Sequence, residues 1–239
     1  MKLKLIYFTI LILNLLISRV NSQSLSGMSG MLTIPTGNII NDGEVYLGVN
    51  YLPEVELTRY NFNHSSLTPF ISIGFLPFLE ISVRSTYPVD GFEYSATGDR
   101  MPSLRIKIFS ETNVLPSTSI GLHDFVNVFG GTEAQHFNSL YIVASKRLIS
   151  TNGIVLTSTV GYGSDIIKAN GHQFVGLFGG LEATISFAKS YFDISLISEY
   201  DGKKFNAGSR IKLLNHVNIL FGLFDLKYAS GGISFSFNM

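Results

Sequence analysis

The chain has no cysteine and no tryptophan among its 239 residues, and only 14% of them are charged. Without thiols, disulfides, thiolate metal sites and lipid attachment at a processed cysteine are all excluded. Without tryptophan, an aromatic girdle at a membrane interface has to be built from the 11 Tyr and 19 Phe residues. Beyond residue 22 no apolar run approaches the 18 residues of a membrane-spanning helix, although 46% of residues are hydrophobic and the mean hydropathy is +0.30. Catalytic signatures are missing as well. There is no GxSxG nucleophile turn and no phosphate-cradling glycine loop, and His64, His123, His136, His172 and His216 form no spaced metal pair. His123-Asp124 and His64-Ser65-Ser66 come nearest to a catalytic arrangement. Adjacent strand residues point to opposite faces, however, so neither brings a base to a nucleophile. No catalytic, cofactor-binding or metal-binding residue is expected, and the chain is expected not to be an enzyme.

The amino terminus carries a secretory leader pattern: Lys2 and Lys4, an apolar stretch from Leu5 to Ile17, and small residues at Val20-Asn21-Ser22 before Gln23. The apolar stretch is shorter than the roughly 20 residues needed to span a bilayer. Cleavage removes Lys2, Lys4 and Arg19, leaving acidic residues in excess by three and no basic face for nucleic acid. The expected division is therefore a leader over 1–22, an N-terminal segment over 23–43 and a β-barrel domain over 44–239. The N-terminal segment holds turn signals at Pro35-Thr36-Gly37 and Asn41-Asp42-Gly43. It leads into the barrel or folds inside it.

Twelve segments alternate apolar and polar residues: 44–51, 68–74, 79–87, 102–109, 117–124, 138–147, 153–162, 174–185, 191–200, 204–213, 216–224 and 230–238. Phe137, Leu140, Tyr141, Ala144 and Leu148 also fit helical spacing, but Tyr141, Ile142 and Val143 are strand formers. Short connections are expected at 75–78, at Asp201-Gly202 and at Leu214-Asn215, with longer loops over 88–101, 125–137 and 163–173. A chain in hydrocarbon must pair every backbone polar group, which without long apolar helices leaves the closed barrel. A soluble sandwich or lipocalin-like barrel also alternates, but it would bury the apolar face inside. Twelve spans with so few charges favour an all-β, antiparallel, up-and-down transmembrane barrel, with Val45, Leu47, Ile106, Ile219, Phe221 and Phe235 facing outer-membrane lipid. Ile233, Phe235, Phe237 and Met239 continue the alternation to the last residue.

The opposite faces of these strands carry Glu80 and Arg84, then Arg105 and Lys107, and farther on Glu182, Asp193, Glu199, Arg210 and Lys212. These are the candidate lumen charges. Antiparallel order sets opposite signs against one another across the ladder. One reading is structural, with charges pairing to fill a narrow interior. The other is a constriction that orders a polar or anionic substrate. Gly179-Gly180 is read as strand bending or close packing.

Several stretches occur in an order that resembles the YjbH-like exopolysaccharide biosynthesis family: Ser26-Gly27 through Gly30-Met31-Leu32-Thr33-Ile34-Pro35-Thr36 with Asp42-Gly43, and Gly74-Phe75-Leu76-Pro77 with Leu79-Glu80. Gly121-Leu122-His123-Asp124-Phe125, Tyr141-Ile142-Val143-Ala144-Ser145-Lys146-Arg147 and Phe178-Gly179-Gly180-Leu181-Glu182 follow. The resemblance implies a bacterial outer-membrane barrel associated with exopolysaccharide production or export, with polysaccharide and other envelope export proteins as partners and no cofactor. The family's long members carry substantial additional sequence, so a chain with one barrel reads as an accessory subunit. A small diffusion porin or a structural barrel is the alternative.

Overall fold

The computed structural model describes residues 22–54, 64–89, 99–125, 137–151, 153–167, 169, 171–187 and 191–239. The leader, the core of the expected 88–101 loop, most of the 125–137 loop and His136 lie outside these residues. Twelve strands follow one another in chain order: β1 (Glu44–Leu52), β2 (Ser66–Phe75), β3 (Leu79–Pro88), β4 (Asp99–Phe109), β5 (Ser117–His123) and β6 (Ser139–Thr151). The series continues with β7 (Ile154–Ser164), β8 (Gly176–Phe187), β9 (Phe192–Tyr200), β10 (Phe205–Leu213), β11 (Val217–Phe224) and β12 (Tyr228–Asn238). Each pairs antiparallel with its sequence neighbours, and β1 pairs with β12 from Glu44↔Asn238 to Tyr51↔Gly231. The sheet is thereby a closed barrel without edge strands, the up-and-down architecture expected from the alternation.

Of the residues that also fit helical spacing, Leu140, Tyr141, Ala144 and Leu148 lie in β6 and Phe137 just before it; the strand runs to Thr151, beyond the expected end. Its register shifts between Arg147 and Ile149, a bulge that lets the strand continue. Asp99 to Met101 belong to β4 and not to the preceding loop.

The turns follow local chemistry. Leu214 and Asn215 both have positive φ (52° and 62°), as do Asp225 and Leu226 (54° and 56°). Two consecutive left-handed residues reverse a strand with the twist of its neighbours. At Asp201-Gly202 the Asp201 carboxylate accepts from the Lys203 and Lys204 amides at 2.9 Å each, and Gly202 takes φ +94°. The β2–β3, β4–β5, β6–β7, β8–β9 and β10–β11 connections lie at the barrel end that also holds the start of β1 and the end of β12. The longer β1–β2, β3–β4, β5–β6 and β7–β8 connections lie at the other end.

Pleating sends alternate side chains to opposite faces. In β3, Glu80, Ser82, Arg84 and Thr86 are buried while Ile81 and Val83 are exposed. The same rule turns Leu47, Ile71, Ile106, Ile120, Ile142, Leu196, Phe221 and Phe235 outward. Ile219 is half-buried on that face. Val45 departs from expectation, because it is only 3% exposed; it has the outward parity of Leu47, but it sits between Phe237 and Ile73 in register. Exposed aromatic residues gather at both ends of the outer face. Phe75, Phe78, Phe109, Phe187, Tyr191 and Phe237 lie at the short-turn end, and Tyr51, Tyr162 and Phe205 at the other.

Candidate functional site

The interior is filled from two sources. The first is residues 23–41, which fold within the barrel as a plug. The plug pairs much of its backbone with itself: the Leu25 amide donates to the Leu32 carbonyl at 2.8 Å, the Met31 amide to that of Ile34 at 2.9 Å, and bridges join Gln23 to Ser29 and Gly30 to Pro35. Barrel side chains take up other backbone groups that self-pairing leaves over. Asn50 Nδ2 donates to the Leu25 carbonyl at 2.9 Å, and Ser117 Oγ donates to the Gly37 carbonyl at 2.9 Å. The Gly37 amide in turn donates to Ser145 Oγ at 2.8 Å.

The predicted lumen charges are the strongest of these partners. Glu80 accepts from the Ser29 amide at 2.8 Å, from Ser29 Oγ at 2.6 Å and from the Ile40 amide at 3.3 Å. Its register partner Arg105 lies 3.4 Å away and donates to the carbonyls of Ser29 (2.5 Å), Asn38 (2.8 Å) and Thr36. Across the lumen, Arg210 pairs with Glu182 and donates to the carbonyls of Met31 (2.6 Å), Gly30 (2.9 Å) and Gln23 (3.3 Å). Glu199 accepts from three consecutive plug amides, Leu32 (3.0 Å), Thr33 (2.8 Å) and Ile34 (3.4 Å), and from Thr33 Oγ1. Such a run of amides converging on one anion is a backbone nest. Each buried charge has therefore exchanged water for oriented backbone dipoles, which offsets the desolvation that makes lone buried charges costly.

The other four predicted residues take other places in the interior. Arg84 lies over the Phe137 ring at 4.8 Å. Asp193 and Lys212 face each other in register near the short-turn mouth. Lys107 lines a cavity of about 310 Å³ at the same mouth, together with Glu111, Arg147 and the plug residues Asn38 and Asn41.

The second source of filling is apolar, and the alternation did not point to it. Tyr141 and Phe174 pack edge-on against His123 and each other, Phe178 packs on both of them, and Phe137, Met101, Val143, Leu220 and Phe224 extend the cluster to Met31, Leu32 and Ile34 of the plug. Phe137 and Phe174 come from connections: the strand expected from Phe174 begins at Gly176, and Phe137 precedes β6. One signal was available for the plug seat: inward glycines. A Cβ on Gly222 would fall 2.5 Å from Leu32 Cδ1, one on Gly208 3.2 Å from the same atom, and one on Gly180 2.9 Å from Met31 Cε. Close packing at Gly180 is therefore the correct reading of that pair.

Among the described residues no group of three or more His, Cys, Asp or Glu is placed to hold a metal ion. The described interior is a packed polar clamp and an aromatic cluster. It can bind, orient and obstruct.

A family model described as "Exopolysaccharide biosynthesis protein YbjH" matches residues 22–182, from the plug into the middle of β8. No curated protein matched the chain.

Proposed function

The chain belongs to the YjbH family of exopolysaccharide biosynthesis proteins, and from that premise we propose that it is a non-catalytic outer-membrane barrel, an accessory to production or export of an envelope polysaccharide. The observation that carries the membrane placement is the outer face. Its mid-strand positions are mostly isoleucine, leucine, valine and phenylalanine, and exposed Tyr and Phe lie at both ends, the layout of a hydrocarbon band between two aromatic girdles. In that placement the short-turn end faces the periplasm, residues 1–22 are the cleaved leader, and the lipid of the outer membrane is the first partner.

The accessory reading rests on the family and on the filled lumen. A barrel whose interior is occupied by its own residues 23–41 suits docking, gating or scaffolding better than free diffusion, which sets the porin alternative at a disadvantage. The test is genetic and electrical. Membrane fractionation with heat-modifiable gel migration is expected to recover the protein in the outer membrane, deletion of the gene is expected to lower surface polysaccharide, and the purified barrel is expected to be silent in planar bilayers. Steady conductance with unchanged polysaccharide would refute the export reading. Hydrolysis of a glycan or phospholipid by the purified protein, lost in His123→Ala, would refute the non-catalytic one.

A further inference from the structure

Lys107, Arg147, Ser117 and Thr157 project from β4 to β7 into the cavity of about 310 Å³ at the short-turn mouth, and the plug residues Asn38 and Asn41 close its inner side. Glu111, in the β4–β5 connection, is the one carboxylate in the lining. It is already engaged: its oxygens accept from Arg147 Nε at 2.8 Å and from the Arg147 amide at 2.9 Å, and Lys146 Nζ stands 3.9 Å away. The guanidinium is therefore compensated, whereas among the described residues no acceptor is paired with the Lys107 ammonium. The cavity carries one uncompensated positive charge, set among hydroxyls and carboxamides. A second cavity of about 370 Å³ shares Glu111 and Arg147 and adds Thr112, Asn113, Lys146 and Ser150.

We propose that this vestibule binds a carboxylate-bearing segment of glycan, with Lys107 holding the carboxylate and the side chains of Asn38 and Thr157 addressing sugar hydroxyls. The proposal rests on the polysaccharide reading above and names the substrate class that reading leaves open. Three features select a sugar acid over a protein segment. Each cavity lies at the low end of the roughly 300–1,000 Å³ range of small-ligand pockets. Ile39 is the only apolar residue among the nine that line the first cavity, whereas protein partners anchor through buried aromatic and aliphatic groups. The remaining lining offers both donors and acceptors, as a polyhydroxylated ligand requires. The plug forms the inner wall, so a ligand seated here touches the segment that blocks the lumen.

The test uses the purified full-length mature barrel in detergent, with tetragalacturonic acid, neutral maltotetraose and tetraglutamate as probes in calorimetry. Tetragalacturonic acid is expected to bind, to bind about tenfold more weakly to Lys107→Gln, a difference of about 1.4 kcal/mol, and to weaken as ionic strength rises from ~0.1 to ~1 M. Maltotetraose is expected not to bind detectably. The salt titration on the unmodified protein reads the same charge should the variant fail to fold. Equal affinity for the acidic and neutral sugars, unchanged affinity in Lys107→Gln, or tetraglutamate binding as tightly as the sugar acid would each overturn the proposal. Failure of the accessory role is read separately: acidic-sugar binding that persists while gene deletion leaves surface polysaccharide intact sinks that reading and leaves the site.

Discussion

Glu199→Gln keeps the shape of the clamp over Leu32–Ile34 and removes one of its two acceptor oxygens. In the native protein Oε1 serves the Thr33 amide at 2.8 Å, the Thr33 hydroxyl and Asn206 Nδ2 at 3.4 Å, while Oε2 serves the Leu32 and Ile34 amides at 3.0 and 3.4 Å. A carboxamide has one acceptor and one NH2 donor, so either orientation sets a donor against at least two donors. An unpaired buried group costs roughly 1–3 kcal/mol, and the longer bonds count toward the low end. Plug seating is thereby weakened by about 2–5 kcal/mol, a rise of roughly 30- to several-thousand-fold in the unseated population. The barrel ladder is left intact, because Glu199 pairs with Gly180 and Asn206 through its backbone. Methionine oxidation reports the outcome: Met28 and Met31 are 0% and 1% exposed, and Met239 is 77% exposed. In dilute peroxide, mass spectrometry is expected to find Met28 and Met31 oxidised much faster in the variant, with Met239 unchanged as the internal control. Equal Met31 rates in the two proteins would refute the assignment of Glu199 as a plug clamp.

Gly222→Val should displace the plug by a steric route, since its Cβ falls 2.5 Å from Leu32 Cδ1; overpacking costs about 1–3 kcal/mol, and the same oxidation assay should show Met31 exposed. Ile142→Lys on the outer face of β6 should destabilise the membrane-inserted barrel by roughly 2–4 kcal/mol, whereas Asn113→Lys in the β4–β5 connection should be near neutral; urea titration in lipid vesicles compares them. Deleting Ser236 to Met239 removes the pairs Tyr46↔Ser236, Val45↔Phe237 and Glu44↔Asn238 and the Met239 amide bond to the Gly43 carbonyl at 2.8 Å. In the proposed outer-membrane placement the start of β1 is then unpaired on that side in lipid, and immunoblots of membrane fractions should show reduced levels of the truncated protein.

Sequence alone determined the strands and their faces. A pleat has a period of two, so the alternation of Ile81 and Val83 with Glu80, Ser82 and Arg84 states which residues leave the interior, and twelve such stretches state the strand number. Turn chemistry is equally local: Asp201-Gly202 and Leu214-Asn215 carry the residues that reverse a chain. The placement of the charges inside the barrel was legible for the same reason. Their partners were not. Glu199 meets the Leu32–Ile34 amides from 165 to 167 positions away, and Arg210 meets the carbonyls of Gln23, Gly30 and Met31 from 179 to 187 positions away. Backbone dipoles are the same at every residue, so no residue type marks the amide or carbonyl that a buried charge will find. The tertiary structure decided the closure of β1 on β12, the seating of residues 23–41 in the lumen and the packing of Phe137 and Phe174 inside, because each depends on surfaces that face each other only once the sheet has curled shut.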